Sequence, residues 1–184
     1  MRTTFFALVL ALAASANAAS FSKRAISSAV QTCVKDLTAA QAQIEAVTTA
    51  VNGFTAASGY AGALGVHNKE QALEALVKTA KSDCCAVTTV VSTEEANAVI
   101  DVVKTLVPDI ESALGAIVSK KDAFNAVVLA ANIVKSDIKN LQTQVTALDN
   151  CIVAVTPSDF ATVANEYASK VDAAFANAKA AYNI

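Results

Sequence analysis

Apolar residues recur along most of this chain with the repeat of an α-helix. They alternate three and four positions apart, which places them on one face of a helix, while polar residues occupy the positions between. The clearest stretch predicts a long first helix, whose apolar face comprises Ile26, Val30, Cys33, Leu37, Ala40, Ile44, Val47, Val51 and Phe54.

Glycines interrupt the chain after this face. Four of its 5 glycines lie at positions 53, 59, 62 and 65, and such a cluster predicts a loop. The sequence Asn68-Lys69-Glu70-Gln71 resembles a capping box and predicts the start of a second helix. The apolar face of this helix comprises Leu73, Val77, Ala80, Cys84, Val87 and Val91.

A proline lies inside the third predicted helix. Ser92 and Glu95 occupy the two ends of a capping box, so the helix should begin there. Pro108 removes a backbone hydrogen-bond donor and clashes with the preceding turn, yet the apolar face continues in phase beyond it. We therefore expect one helix kinked at Pro108, with an apolar face of Ala96, Val99, Val103, Leu106, Ile110, Leu114, Ile117 and Phe124.

Two further helices follow. The fourth carries apolar residues at heptad spacing, namely Ala131, Val134, Ile138, Leu141, Val145, Leu148, Ile152 and Val155. The fifth should begin with Thr156 as the N-cap, Pro157 at the first helical position and Asp159 in the first turn. Because short connections make successive helices antiparallel, the sequence predicts an all-α fold, an antiparallel up-and-down bundle of about five helices.

The even number of cysteines, 4, predicts two disulfides. At about 1.5 Å per helical residue, Cys33, Cys85 and Cys151 lie roughly 8 to 10 Å from the same end of such a bundle, and Cys84 adjoins Cys85. Neighbouring helical side chains diverge by about 100°, so a bond between Cys84 and Cys85 is disfavoured. We expect one bridge from the second helix to Cys33 and one to Cys151, with the assignment of Cys84 and Cys85 left open. Each would close a long loop and stabilise the fold by about 3 to 4 kcal/mol.

The chain begins with the pattern of a secretory signal peptide. A basic start, an apolar stretch and a closing Ala16-Asn17-Ala18 predict cleavage after residue 18. Lys23 and Arg24 then form a dibasic pair, which indicates either a pro-segment over residues 19–24 or a solvated terminus. The remaining residues, 25–184, form the predicted single domain, and we expect an extracellular, secreted protein that is either free or associated with the cell wall.

Composition and motifs exclude several classes of function. The net charge is -2 and the lysines are scattered, so nothing favours nucleic acid as a partner. His67 is the 1 histidine, and we expect it to be a solvated loop residue rather than a general base. Glu94 and Glu95 have an electrostatic reason to lie in the first turn of a helix. We therefore predict no enzyme, no catalytic residue, no metal site and no cofactor, and no transmembrane segment beyond the signal.

The predicted interior is rich in alanine and valine, and only 5% of all residues are aromatic. Two interpretations follow: an ordinary close-packed core, or a bundle with an elongated apolar cavity that can open. Composition alone favours the close-packed core. If the bundle opens, the disulfides should hold one pole, so the opening is expected at the other pole, near the glycine loop.

The third helix also carries a family resemblance. The capping box from Ser92 to Glu95, the apolar face around Pro108 and the sequence Lys120-Lys121-x-x-Phe124 resemble the fungal hydrophobic surface-binding protein A family, which is related to cell-wall mannoproteins. The resemblance implies a secreted helical bundle that adsorbs to hydrophobic solids and recruits a polyester-degrading esterase. It also implies a relation to wall mannoproteins that bind fatty acids within the bundle. The four cysteines and the lack of a Ser/Thr-rich anchored tail depart from parts of that family.

These observations lead to one main expectation and two alternatives. We expect a non-enzymatic protein that adsorbs to hydrophobic surfaces, with a hydrophobic solid and a secreted esterase as partners. The alternatives are an extracellular carrier of a fatty acid or other lipid, and a structural mannoprotein of the cell wall. Ligand-binding residues are not assigned by the sequence.

Overall fold

The computed structural model describes residues 26–184, and all regular secondary structure in this part of the chain is helical. The predicted signal peptide, residues 1–18, and the pro-segment, residues 19–24, lie outside the described residues. The elements in chain order are α1 Ser28–Gly53, a 3-10 turn Ala56–Ser58, α2 Gly59–Cys85, α3 Thr93–Ser119, α4 Lys121–Asn125, α5 Ala130–Val155 and α6 Ser158–Tyr182. Five of these helices are long, as predicted, and α4 is a short addition between α3 and α5.

The starts of α1 and α3 are joined by a single carboxylate. Ser27 caps α1, because its hydroxyl accepts a hydrogen bond from the Val30 N–H. Oε1 of Glu95 accepts from the Ser27 N–H at 2.9 Å, and Oε2 accepts from the Ser92 N–H at 2.9 Å. These hydrogen bonds, first from Ser27 and then from Ser92, lower the pKa of Glu95 to about 2. The predicted capping box of α3 is confirmed, and it also caps a second helix.

The predicted glycine loop and the capping box at Asn68 are wrong. Helix α2 begins at Gly59, whose φ of 60° falls in the left-handed region that glycine tolerates. Gly62 lies inside the helix, where an added Cβ would overlap Ser58 and come within 3.5 Å of the Phe54 ring. Gly62 therefore allows close approach between the first turn of α2 and Phe54, which follows α1.

Three other boundaries differ in detail from the prediction. Helix α3 runs through Pro108 but ends at Ser119, so Phe124 lies on α4. Helix α5 starts after Leu129, which adopts a φ of 67°. Pro157, and not Thr156, occupies the N-cap of α6; the Thr156 hydroxyl instead donates to the Ile152 carbonyl at 2.7 Å, at the end of α5.

The five long helices form a closed ring. Helix α1 packs between α2 and α3, α5 packs between α2 and α6, and α3 contacts α6. The order around the bundle is therefore α2, α1, α3, α6, α5. Chain direction alternates from one helix to the next, as predicted, but α2 and α3 are separated in the ring by α1.

Two disulfides lie at one end of this ring, which we call the disulfide pole. One bond joins Cys33 of α1 to Cys84 of α2, and the other joins Cys85 of α2 to Cys151 of α5. The gathering of all four cysteines at one pole agrees with the prediction, and the pairing left open by the sequence is now assigned.

The opposite end is closed by aromatic side chains, and we call it the aromatic pole. Phe54 and Phe124 stack there with ring centroids 4.2 Å apart and an interplanar angle of 8°. Tyr182, at the end of α6, is fully buried and donates its hydroxyl proton to the Ile117 carbonyl at 3.1 Å. Among residues 26–184, no helix has the length and apolar character needed to cross a membrane.

Removal of either disulfide should cost several kcal/mol of stability. The bonds join residues separated by 51 and 66 positions, which corresponds to about 4 kcal/mol each on the chain-entropy model. We expect the Cys33→Ala/Cys84→Ala variant and the Cys85→Ala/Cys151→Ala variant to lose similar amounts in urea denaturation. A loss below about 1 kcal/mol in either would contradict a structural role for that bond.

Candidate functional site

An apolar cavity of about 150 Å³ runs through the centre of the ring. The expected close-packed core is therefore wrong, because five helices enclose a channel that short valine and alanine side chains do not fill. All five long helices line it, chiefly with aliphatic side chains that include Leu37, Ile44, Leu73, Val77, Val99, Val103, Leu106, Ile110, Leu114, Ile138, Leu141, Val145, Leu148, Ile152 and Val171.

The cavity is elongated along the bundle axis. Its lining on α3 extends from Ala96 to Ile117, a distance of about 30 Å at 1.5 Å per helical residue. Cys33 and Cys84 line it near the disulfide pole, and Phe124 lines it at the aromatic pole. The shape suits a long, thin apolar molecule better than a compact one.

The aromatic pole closes one end of the cavity. Phe124 has no exposed surface, and Phe54 and Phe175 are almost as deeply buried. The Lys120 ammonium also donates to the Phe54 carbonyl at 3.1 Å, which fixes the turn after α1. The opening expected at this pole is not found.

Burial is lowest at the disulfide pole, on the side of α6. Residues 158–170 of α6 include no buried side chain, whereas Val171, Phe175, Ala178 and Tyr182 are buried in its second half. None of the facing residues 97–105 of α3 and 149–155 of α5 is fully buried either. Neither disulfide joins α3 or α6 to another helix; the bonds link α1, α2 and α5. We call this region, formed by these three segments, the cavity mouth.

A few polar side chains interrupt the apolar wall. Glu70 of α2 and Asp137 of α5 are buried in it, and Asp149 of α5 lies nearer the mouth. His67 stands one turn before Glu70 on α2, with Nδ1 at 3.0 Å from both carboxylate oxygens of Asp137. The prediction of a solvated loop histidine is therefore wrong, because the earlier start of α2 places His67 on a helix that packs against α5.

Burial weakens the acidity of these carboxyl groups. Desolvation, and then the charge of Asp137, raise the pKa of Glu70 to about 8. Desolvation also raises the pKa of Asp137, although the hydrogen bond from His67 opposes the shift. Burial and the charge of Asp172 raise the pKa of Asp149 to about 7. The cavity wall therefore holds acids that bind protons near neutral pH.

The geometry of the cavity suits the binding of an apolar molecule. The sequence assigned no ligand residues, yet its apolar faces already contained most of the aliphatic lining, because a lining residue and a core residue share one helical face. What the sequence could not supply was the unfilled space between those faces. The sequence did contain a signal for the polar side chains at the wall. His67 and Glu70 are three residues apart, so they share a face once both lie on a helix.

A family model described as hydrophobic surface binding protein A matches residues 30–154, from the first turn of α1 to the last turn of α5. The chain belongs to the hydrophobic surface binding protein A family. This match confirms the resemblance found in the third helix. A comparison with curated protein sequences returned no significant match.

Solved structures extend the comparison beyond the hydrophobic surface binding protein A family model. The structure of Afmp4p in complex with palmitic acid is 28% identical, has a TM-score of 0.77, and covers 83% of this chain and 99% of its own. Ligand binding domain 1 of the Penicillium marneffei MP1 protein, complexed with arachidonic acids, is 16% identical with a TM-score of 0.76, and covers 85% of this chain and 99% of its own. Ligand binding domain 2 of the same protein, in complex with arachidonic acids, is 15% identical with a TM-score of 0.72 and covers 84% of this chain and 92% of its own. The two MP1 domains establish a shared fold.

The raised pKa of Asp149 should make stability depend on pH. The folded state holds this proton up to about pH 7, whereas an unfolded Asp releases it near pH 4, so stability falls as pH rises between these values. The fall attributable to Asp149 is at most about 1.4 kcal/mol per pH unit, and solvent screening of this half-buried group reduces it. Asp149→Asn should flatten the decline of Tm from pH 4 to 7, while Glu111→Gln, which removes an exposed carboxylate on α3, should keep it. Identical profiles for wild type and Asp149→Asn would contradict this assignment.

Proposed function

We propose that this chain is a non-enzymatic protein that binds a long-chain fatty acid or a similar lipid between its helices. The observation that carries the proposal is the elongated apolar cavity, closed at the aromatic pole and thinly covered at the mouth. The Afmp4p structure supports it, because that protein holds palmitic acid and resembles this chain over 99% of its own length.

The ligand-bound cavity must be larger than the present one. A cavity of about 150 Å³ is the size that an engineered protein interior needs to take up benzene, so a chain of some sixteen carbons requires widening. The first half of α6 can supply the space, because none of its residues is fully buried and neither disulfide joins it to another helix. Burial of each methylene contributes about 0.8 kcal/mol, which offsets the packing that α6 loses as it moves outward.

Electrostatics favour one orientation of a fatty acid. The buried acids Glu70 and Asp137 lie in the middle of the wall, where desolvation raises the pKa of both groups and would equally disfavour an ionised ligand carboxylate. The aromatic pole offers a dry, closed end for the methyl terminus. The carboxylate would therefore lie at the mouth, where it can keep its hydration.

Lipid binding can be tested with one blocking variant and one control. Val103 lines the cavity near the mouth, whereas Lys104, the next residue on α3, is exposed. We expect Val103→Trp to weaken palmitate binding by at least about tenfold, because the indole takes up space that the aliphatic chain needs. Lys104→Trp should bind as the wild type does. Isothermal titration calorimetry and native mass spectrometry report the affinity, and circular dichroism checks the fold.

Wild-type protein that stays ligand-free with excess palmitate would overturn the proposal. Equal loss of affinity in both tryptophan variants would place the ligand outside the cavity.

A second proposed function is adsorption to hydrophobic surfaces, and it rests on a different observation. Val128 and Leu129, in the turn between α4 and α5, are 82% and 59% exposed. Leu129 also adopts a left-handed φ of 67°, which costs a non-glycine residue about 1 kcal/mol or more. Two large aliphatic side chains are thus presented to solvent, and we propose that they contact the surface first. Recruitment of a polyester-degrading esterase stays a prediction of the family resemblance.

Adsorption can be tested with matched charge changes. We expect Val128→Asp/Leu129→Asp to leave several times more protein in solution after mixing with polystyrene particles, because ionised side chains resist dehydration. Asn140→Asp/Thr143→Asp adds the same charge to the exposed face of α5, away from the exposed apolar side chains, and should adsorb like the wild type. Equal depletion of the wild type and both variants would contradict adsorption through the Val128–Leu129 turn.

Secretion is the location that fits this function best. The predicted signal peptide and the two disulfides both indicate an oxidising, extracellular compartment. Association with the cell wall, as a structural mannoprotein, remains the alternative that the sequence raised.

A further inference from the structure

Three side chains that commonly bind metal ions converge on one side of the cavity. His67 and Glu70 are three residues apart on α2 and therefore share a face of that helix. Asp137 approaches from α5, which packs beside α2. One ligand atom from each of the three side chains lies within 4.8 Å of the other two. Helix packing alone has thus placed an imidazole and two carboxyl groups around a common point.

One atom of this group has no partner. Glu70 is 5% exposed, and its Oε1 accepts no hydrogen bond, whereas Oε2 accepts from Gln71 Nε2 at 2.9 Å. A buried carboxyl oxygen without a donor costs roughly 1 to 3 kcal/mol, so such an atom calls for a physical explanation. Glu74, on the next turn of α2, is already paired with Lys78 at 2.7 Å. The Glu70 carboxyl group, with this unpartnered oxygen, is also the one whose ligand atom lies within 4.8 Å of His67 and Asp137.

We propose that His67, Glu70 and Asp137 bind a divalent transition-metal ion, and that Zn²⁺ fits them best. Imidazole nitrogen and carboxylate oxygen are both ordinary Zn²⁺ ligands, and three protein ligands leave the fourth tetrahedral position for water. Ca²⁺ and Mg²⁺ favour sets of six or more oxygen ligands, which this group does not resemble. The ion would supply the positive charge that two buried carboxylates need. It would also coordinate Glu70 Oε1, which has no hydrogen-bond partner.

The distances require a small adjustment. Tetrahedral Zn²⁺ with bonds of about 2.1 Å places its ligand atoms about 3.4 Å apart. His67 Nδ1 and the Asp137 oxygens are 3.0 Å apart, and the largest separation in the group is within 4.8 Å. A rotation of the Glu70 side chain that moves its carboxylate oxygen by about 1 Å would bring the ligand atoms to the separations of a tetrahedral site. His67 is partly exposed, with 29% of its side chain accessible, so an ion can enter from solvent.

The competing explanation is a metal-free network. A proton held between Glu70 and Asp137, together with the His67 contact, would satisfy part of the same group. That network predicts that substitution of His67 changes stability and leaves the affinity for added metal unaltered. Zn²⁺ binding can be measured on protein without lipid, and lipid binding on protein without metal, so either proposal can fail alone.

The test is a titration of the secreted chain, free of any polyhistidine tag, with ZnCl₂ near neutral pH. We expect one Zn²⁺ per chain, and an affinity lowered by at least about tenfold in His67→Gln, Glu70→Gln and Asp137→Asn. Asp149→Asn is the matched control, because it removes a carboxylate from the same helix and the same cavity wall, and it should bind Zn²⁺ as the wild type does.

A second measurement needs no variant. Co²⁺ in place of Zn²⁺ should give the intense visible absorption of a four-coordinate site, and Zn²⁺ should displace it. Absence of saturable Zn²⁺ binding to the wild type would overturn the proposal, as would His67→Gln with wild-type affinity. Weak octahedral Co²⁺ absorption together with several equivalent Zn²⁺ per chain would indicate adventitious surface binding and would overturn it as well.

Discussion

Two disulfides hold three of the five long helices together, and all three line one side of the cavity. Helix α2 lies between α1 and α5 in the ring, and its adjacent residues Cys84 and Cys85 diverge by about 100°, so each faces a different neighbour. The paired cysteines thus fix one side of the bundle at a single level. Helices α3 and α6 meet on the other side, where neither bond reaches, and burial is lowest there.

Much of the fold could be predicted because helical periodicity reports which face of each helix is buried. The start of α2 was missed for an identifiable reason. Ala63 and Val66 continue the spacing of the α2 face towards its beginning, but the next position in that repeat is Glu70, a charged residue where an apolar one is expected. Because this charged residue follows the cluster of glycines, the segment resembled a loop followed by a helix cap.

The ring order and the cavity could not be predicted by the same means. Periodicity identifies an apolar face without saying which neighbour it meets, so it could not show that α1 separates α2 from α3. Whether a void forms depends on the summed volumes of side chains from five helices. Alanine and valine also form tight contacts between two helices, so their presence does not predict a void. The polar exceptions in the repeat, Glu70 and Asp137, mark the positions where packing alone does not account for the sequence.

The two ends of the molecule differ in a way that sets how it would stand on a surface. The exposed turn of Val128 and Leu129 follows α4 at the aromatic pole, whereas the cavity mouth lies at the disulfide pole. A molecule attached by that turn would stand upright, with its helices along the surface normal and its mouth facing the solution about 30 Å away. A layer of such molecules would cover a hydrophobic solid, and each molecule could still exchange a bound lipid with the medium.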